Sequence, residues 1–157
     1  MKLELARLEK RRCVLYVDHV QDDILQLSHA VTMSGFCGVL RVVASVAEAM
    51  EYLEGQGRFE DRYEFPEPDL IVSEANLRNE RGNDLASRLH GRECYKQIPL
   101  VFFSRGFHPE EKKQAEALGV TAFVLKTDVP DLVKEQMSAV LKFFPMEACH
   151  SGPCAML

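Results

Sequence analysis

Five polar side chains that could bind a ligand or take part in a reaction lie directly after short apolar runs of the chain. Asp18 and His19 follow CVLYV, Glu74 follows DLIVS, Ser104 follows LVFF, and Lys126 follows AFVL. Carboxylates, a hydroxyl and a lysine that meet at one place can hold a divalent ion or a phosphoryl group. The sequence therefore predicts a single site, provided that these four runs lie side by side.

The apolar runs are typical of strands buried on both faces of a parallel sheet, because each is short, aliphatic and closed by turn-type residues. The predicted strands are residues 13–17, 39–43, 69–72, 100–103 and 122–125. Helices are predicted between and after them, at residues 22–33, 45–53, 84–90, 109–118 and 128–144. This alternation predicts a parallel α/β sheet with right-handed crossovers. Chemistry in such sheets collects at the carboxyl ends of the strands, where the polar residues lie.

Local signals refine three of the connections. Ser45 followed by Glu48 is a capping box that opens the second helix. Residues 54–68 are polar and contain Gly and Pro, so they are expected to form a surface loop. Its expected anchors are three aromatic residues, Phe59, Tyr63 and Phe65. Residues 78–82 are expected to turn, with Gly82 supplying an unusual backbone dihedral.

Length and composition favour one soluble domain. The chain has 157 residues, of which 46% are hydrophobic and 27% charged, and its net charge of -5 without a basic stripe argues against a nucleic-acid binder. The charged start, MKLELARLEKRR, is no signal peptide, and no apolar run approaches the roughly 20 residues that span a bilayer. Five cysteines are an odd number, and we expect reduced thiols in a cytoplasmic protein. The predicted organisation is an arm (1–11), a domain (12–144) and a flexible tail (145–157).

Taken together, the four motifs resemble the receiver (CheY-like) domain of two-component response regulators, over about residues 12–144. VLYVDH corresponds to the strand that runs into two acids, and DLIVSEANL to the strand that ends in the phosphate-accepting aspartate. PLVFFS corresponds to the strand that ends in a hydroxyl, and ALGVTAFVLK to the strand that ends in the lysine. The resemblance implies a flavodoxin-like, doubly wound (βα)5 three-layer sandwich with sheet order 2-1-3-4-5.

The resemblance also implies a role for each residue of the site. Glu74 takes the phosphoacceptor position. Asp18, His19 and Asn76 correspond to the acidic pocket, where the family binds magnesium through two acids and a backbone carbonyl. The positions that correspond to the family's switch and pocket wall are Ser104, Arg105, Phe123 and Lys126.

Two departures from the family pattern affect phosphotransfer directly. Glu74 replaces the aspartate nucleophile and adds a methylene, which pushes the carboxylate into the space of the phosphoryl group. Misplacement of a reacting group by ~1 Å can cost about a hundredfold in rate. His19 replaces a magnesium ligand, and a neutral imidazole serves this hard ion poorly. Asp18 remains as a weak magnesium candidate, so we expect weak or no magnesium binding.

Two further departures, at Arg105 and Thr127, concern the surroundings of the pocket, and Phe123 takes the position of the family's switch aromatic. Arg105 replaces a small residue and is expected to pair with Glu74 or to cover the opening. Thr127 replaces the proline that follows the lysine, so we expect a trans bond there, since a cis bond costs ~3 kcal/mol. Phe123 has no hydroxyl to bond with Ser104, so packing alone is expected to set its position.

The leading hypothesis is a stand-alone pseudo-receiver that acts through protein contacts without phosphorylation. Its expected partners are a histidine kinase, a phosphotransfer protein or another regulator, which would dock on the fourth helix, fifth strand and fifth helix, or a second copy of the chain. Neither nucleic acid nor membrane is an expected partner. Glu74 either mimics the phosphorylated state or fills a dead site, and we favour the second, because mimicry offers one charge where a phosphoryl group carries nearly two.

Other functions remain as alternatives. The first is an active phosphoacceptor. The second is a flavodoxin-like enzyme that binds a flavin or nucleotide, although the acidic loop 18–23 would repel phosphate. A haloacid-dehalogenase-like phosphatase needs an aspartate nucleophile, which Glu74 does not provide.

Two metal sites and one modification are also formally possible. His19 with Asp18 and Glu74 would suit zinc or iron, although a hydrogen-bonded loop histidine is the simpler interpretation. Cys149, His150 and Cys154 lack a fourth ligand for a tetrahedral metal. Residues 154–157 match a prenylation box. We interpret both tail motifs as incidental.

Overall fold

The structure is a computed structural model that describes residues 11–145. Most of the predicted arm and nearly all of the predicted tail lie outside these residues, including Cys149, His150 and Cys154. The predicted domain limits at residues 12 and 144 therefore stay predictions.

Five parallel strands form one sheet, as the sequence predicted. They are β1 (Cys13–Val17), β2 (Val39–Val43), β3 (Leu70–Ser73), β4 (Leu100–Ser104) and β5 (Ala122–Leu125). Their order is β2-β1-β3-β4-β5, with every neighbouring pair parallel. This confirms the flavodoxin-like order and brings the ends of β1, β3, β4 and β5 to one edge.

The helices cover both faces of the sheet. They are α1 (Gln21–Met33), α2 (Val46–Glu54), α3 (Gly82–His90), α4 (Pro109–Ala117) and α5 (Pro130–Val140), with a 3-10 turn at Leu141–Phe143. One buried core joins the sheet to α2, α3 and α4, and a second joins it to α1 and α5. The expected three-layer sandwich is confirmed.

The N-cap of α2 and the surface loop form as predicted, with two exceptions. The Ser45 hydroxyl accepts from the Glu48 backbone N–H at 3.1 Å, but the Glu48 carboxylate accepts from the Ala44 N–H at 3.1 Å and not from the Ser45 N–H that would complete a capping box. The 54–68 loop contains a 3-10 turn, Gly57–Phe59, whose Phe59 ring is buried. Tyr63, expected to be an anchor, is instead 63% exposed.

The connection from β3 to α3 differs from its prediction. Residues Asn76–Leu77 and Glu80–Arg81 form a small antiparallel hairpin, and the left-handed residue in its turn is Asn79, with φ of 60°. Gly82 is needed for a different reason. A Cβ there would lie 3.0 Å from the Glu74 carbonyl oxygen and 3.0 Å from the Phe102 ring. The glycine lets α3 start directly against the end of β3.

The prediction of reduced cysteines is wrong at one position. Cys37 is disulfide-bonded. Cys13 keeps a buried thiol 3.5 Å from the Tyr52 hydroxyl, and Cys94 is an exposed thiol.

The peptide bond after Lys126 has the expected conformation. The Lys126–Thr127 bond is trans, since the described chain contains no cis peptide bond. None of the described helices is long and apolar enough to cross a membrane.

Candidate functional site

Lys126 lies at the centre of the edge where the strands end. Its Nζ donates to Asp18 Oδ2 at 2.7 Å, to Asp23 Oδ2 at 2.9 Å and to Glu74 Oε2. The lysine side chain is only 2% exposed, and the three carboxylates are also buried. The ammonium therefore holds together the ends of β1, β3 and β5 and the first turn of α1.

Asp18 uses its whole carboxylate in hydrogen bonds. Oδ1 accepts from the backbone N–H groups of His19 at 2.7 Å and Val20 at 3.0 Å. Oδ2 accepts from Lys126 and from the hydroxyl of Tyr16, which lies two residues earlier on the same face of β1. An ionised carboxylate offers about four acceptor positions, so none is left on Asp18.

Both carboxylate oxygens of Glu74 accept hydrogen bonds. Oε1 accepts from the backbone N–H of Asn76 at 2.9 Å, and Oε2 accepts from Lys126. Lys126 thus supplies the side-chain partner of the Glu74 carboxylate. Ser104 and Arg105 have other partners.

Asp23 is the site residue that the sequence did not reveal. An acid in the first turn of a helix is ordinarily explained by capping and the helix dipole, yet Asp23 is 6% exposed, and its two oxygens accept from Lys126 and, at 2.8 Å, from Arg105. A signal was available in the helical period. Asp23 precedes the buried Leu27 by four residues and so shares its inward face, whereas its neighbour Asp22 faces solvent.

Arg105 does not pair with Glu74. Its guanidinium bonds with Asp23 at 2.8 Å and with Asp128 at 3.0 Å, and its side chain is 51% exposed. It thus links the first turn of α1 to the segment that leads into α5. The expectation of a pair with Glu74 was wrong because Asp23 offers a nearer carboxylate.

Ser104 and Asn76 connect the site to α3 and α4. The Ser104 hydroxyl donates to the Gly106 carbonyl at 3.1 Å and accepts from the Asn76 side chain at 3.2 Å. The Asn76 side-chain oxygen accepts from Arg81 at 2.9 Å, and Arg81 pairs with Glu111 of α4.

Phe123 is positioned by other aromatic rings. It meets Phe102 and Phe107 edge to face, with ring centroids 5.9 and 5.3 Å apart, and the Lys112 ammonium lies 5.2 Å from its centroid. The Ser104 hydroxyl bonds with Asn76 and Gly106 and not with Phe123, as expected because the Phe123 ring has no hydroxyl.

His19 contributes only its backbone to the site. Its ring Nδ1 is buried and has no hydrogen-bond partner within residues 11–145. The carboxylates that converge are Asp18, Asp23 and Glu74, whose candidate ligand atoms lie within 4.8 Å of one another. The metal site of His19, Asp18 and Glu74 that was considered from the sequence does not form, because Asp23 and not His19 is the third residue of the cluster.

Three carboxylates face the two cations Lys126 and Arg105, so the cluster keeps one net negative charge. Burial opposes the charge of Lys126 most strongly, but its hydrogen bonds with Asp18, Glu74 and Asp23 outweigh burial and raise its pKa. Burial likewise opposes the charge of Asp23, but the bonds from Lys126 and Arg105 lower its pKa. Both groups are held in their charged forms.

Comparisons with known proteins identify the fold. The phosphorylated cyanobacterial phytochrome response regulator RcpA superimposes with a TM-score of 0.75 at 21% identity, covering 85% of this chain and 94% of its own. Regulator RPA3017 of R. palustris red-light signalling gives 0.77 at 20% identity, with 85% and 93% covered. The Mn2+-bound form of response regulator Rcp1 gives 0.73 at 20% identity, with 84% and 93% covered.

No protein-family model and no curated protein matches the sequence. The structural likenesses establish that the chain has the receiver fold of response regulators.

Replacing Lys126 with Met should destabilise the protein by ~3–5 kcal/mol, because three buried carboxylates then lose their shared cation. The matched control is Lys96→Met, which removes an exposed lysine paired with Glu93 at 2.9 Å and should cost at most ~1 kcal/mol. Urea unfolding curves of the two variants give the comparison. Equal losses would show that the buried cluster contributes no more than a surface pair.

The lowered pKa of Asp23 predicts an acid-dependent loss of stability. A carboxyl with a depressed pKa in the folded state stabilises the protein above its ordinary pKa of 3.8, and this contribution disappears as the pH falls through the folded value. The free energy of unfolding of Asp23→Asn should therefore fall short of wild type most at neutral pH, and the gap should narrow below pH 3.8.

The exposed neighbour provides the control, since Asp22→Asn should stay close to wild type throughout. A gap for Asp23→Asn that does not change with pH would contradict the assignment.

Proposed function

We propose that this chain is a receiver-like signalling domain that acts by protein contacts and does not need phosphorylation. The observation that carries the proposal is the buried bond between Glu74, at the phosphoacceptor position, and Lys126. The expected cytoplasmic location of the chain stays a prediction.

The contacts of Glu74 argue against its acting as a nucleophile. Attack on a phosphodonor needs an oxygen whose lone pair is directed at the phosphorus in a near-attack geometry. Oε1 is bonded to the Asn76 N–H and Oε2 to the Lys126 ammonium, so both oxygens are held in an orientation set by these bonds and not by a phosphodonor. The extra methylene of glutamate also moves the carboxylate away from the position that the aspartate nucleophile of the family would occupy.

We favour structural filling over mimicry of the phosphorylated state. A phosphoryl group brings nearly two negative charges and three acceptor oxygens, whereas Glu74 brings one charge and two oxygens. Neither oxygen bonds with the Ser104 hydroxyl, which the family uses in its switch, because that hydroxyl bonds with Asn76 and Gly106. The signalling surface is therefore expected to have one resting conformation.

The direct test is incubation with acetyl phosphate, and separately with beryllofluoride, each with magnesium. Intact mass should show no added phosphoryl group, and amide NMR shifts should not change with beryllofluoride. The comparison is Glu74→Asp/His19→Asp, which restores both acids of the family pattern and is expected to gain some labelling. Stoichiometric phosphorylation of wild type at Glu74 would favour the active phosphoacceptor instead.

The proposed docking surface is the side formed by α4, β5 and α5. Its exposed apolar residues lie on β5 and around the start of α5, where Leu125, Val129 and Leu132 are 57%, 50% and 45% exposed. The Gln136 side chain donates to the Leu125 carbonyl at 2.6 Å, so this side of α5 borders β5. Val129, Leu132 and Gln136 share one helical stripe, which makes the patch continuous along α5.

A charge placed in this patch should abolish partner binding. Leu132→Glu is expected to lose signalling proteins that the wild-type domain retains from native lysate, whereas Ser138→Glu, exposed on another side of the same helix, should keep them. Sedimentation of the same proteins tests the alternative of a second copy as partner. Retention of the same partners by both variants would rule this surface out.

A further inference from the structure

The receiver fold implies a divalent cation in its acidic pocket, but the residues of this pocket do not fit one as they stand. We infer that the Lys126 ammonium is the resident cation of the pocket and takes the place of that ion. This goes beyond the lack of phosphotransfer, because a domain can fail to be phosphorylated with or without a bound metal.

The position of the ammonium supports the inference first. The carboxylate oxygens that accept from Nζ are Asp18 Oδ2 at 2.7 Å, Asp23 Oδ2 at 2.9 Å and Glu74 Oε2. These carboxylates form the cluster that could surround an ion. Magnesium needs its ligand oxygens at about 2.0–2.1 Å and calcium at about 2.3–2.6 Å. An ion bound to those three oxygens would have to displace the ammonium that they now share.

The remaining oxygens are also engaged. Asp18 Oδ1 accepts from two backbone N–H groups, Asp23 Oδ1 from Arg105 at 2.8 Å, and Glu74 Oε1 from the Asn76 N–H at 2.9 Å. The Tyr16 hydroxyl adds a second donor to Asp18 Oδ2. Every oxygen of the three carboxylates is thus already oriented by a protein donor. At Asp18, where all four acceptor positions are used, a divalent ion would have to displace hydrogen bonds.

The fate of the displaced lysine supplies the third argument. Lys126 follows β5, and its own backbone N–H bonds with the Ser104 carbonyl at 2.8 Å, so the backbone is held in the sheet. Its side chain is 2% exposed, and a displaced ammonium would be left beside a divalent charge or would have to leave the interior. Either outcome forfeits the charge-assisted bonds that hold it.

The inference predicts that removing Lys126 uncovers a cation site. In Lys126→Met the three carboxylates lose their shared donor. The variant should bind Mn2+ at least about tenfold more tightly than wild type, a difference of ~1.4 kcal/mol. Lys126→Met/Asp23→Asn should bind Mn2+ less tightly than Lys126→Met, because it removes one of the three carboxylate ligands.

The chain offers a second, local readout. It contains four tyrosines and no tryptophan, and the Tyr16 hydroxyl touches Asp18. Tyrosine-sensitised luminescence of Tb3+ should therefore appear in Lys126→Met and stay near background in wild type. Mn2+ calorimetry and Tb3+ luminescence on the full chain together separate binding in the pocket from weak surface binding.

A charge-matched variant covers the case in which Lys126→Met does not fold without metal. Lys126→Met/Glu74→Gln removes one charge of each sign and keeps Asp18 and Asp23 as ligands, so the net charge of the cluster is that of wild type. It should also bind Mn2+ more tightly than wild type. Refolding of Lys126→Met only in the presence of Mn2+ would equally support the inference.

Two results would overturn the inference that the Lys126 ammonium takes the place of a divalent cation. One is Mn2+ or Tb3+ binding by wild type as tight as by Lys126→Met. The other is no gain in Lys126→Met/Glu74→Gln when that variant is folded. Because no phosphodonor is present, neither result bears on phosphorylation, which the acetyl phosphate experiment decides separately.

Discussion

The buried ammonium of Lys126 is the interaction on which the rest of the site depends. Moving an ion out of water costs several kcal/mol unless opposite charges and hydrogen bonds replace the lost hydration. Three carboxylates from three different elements do so here, at the end of β1, in the first turn of α1 and at the end of β3. Loss of any one of these elements from its place would leave a charge uncompensated.

The sheet makes this convergence possible because the site residues extend its hydrogen-bond ladder. The Asp18 N–H bonds with the Val43 carbonyl at 3.0 Å, the Glu74 N–H with Val17 at 2.8 Å, and the Lys126 N–H with Ser104 at 2.8 Å. The backbone position of each of these residues is thus set by the sheet, independently of its side-chain contacts. The strand order then determines which side chains meet.

The sequence predicts what depends on backbone pattern and fails where side-chain geometry decides. The strands and the closeness of Glu74 to Lys126 follow from apolar runs and from the family motifs. Arg105 was assigned the wrong partner, because a long flexible side chain reaches several carboxylates and only the structure shows that Asp23 lies nearest. Asp23 itself was hidden by its position, since an acid in a first helical turn is ordinarily explained by capping. Gly82 was recognised as special for the wrong reason, because close packing against β3 leaves no mark in the local sequence.

A pocket whose charged groups are bonded to one another has consequences for the function proposed above. A ligand or modification shifts a conformational equilibrium only by its different interaction with the two states. In this pocket the acceptor carboxylate, its lysine and the neighbouring acids are already bonded to one another, so an incoming phosphoryl group would have to break those bonds before making its own. The Phe102, Phe107 and Phe123 rings pack against each other without a hydrogen bond that the pocket could make or break. Under the proposed function, control of this domain is therefore expected to come from the supply of its partners and from contacts on its surface.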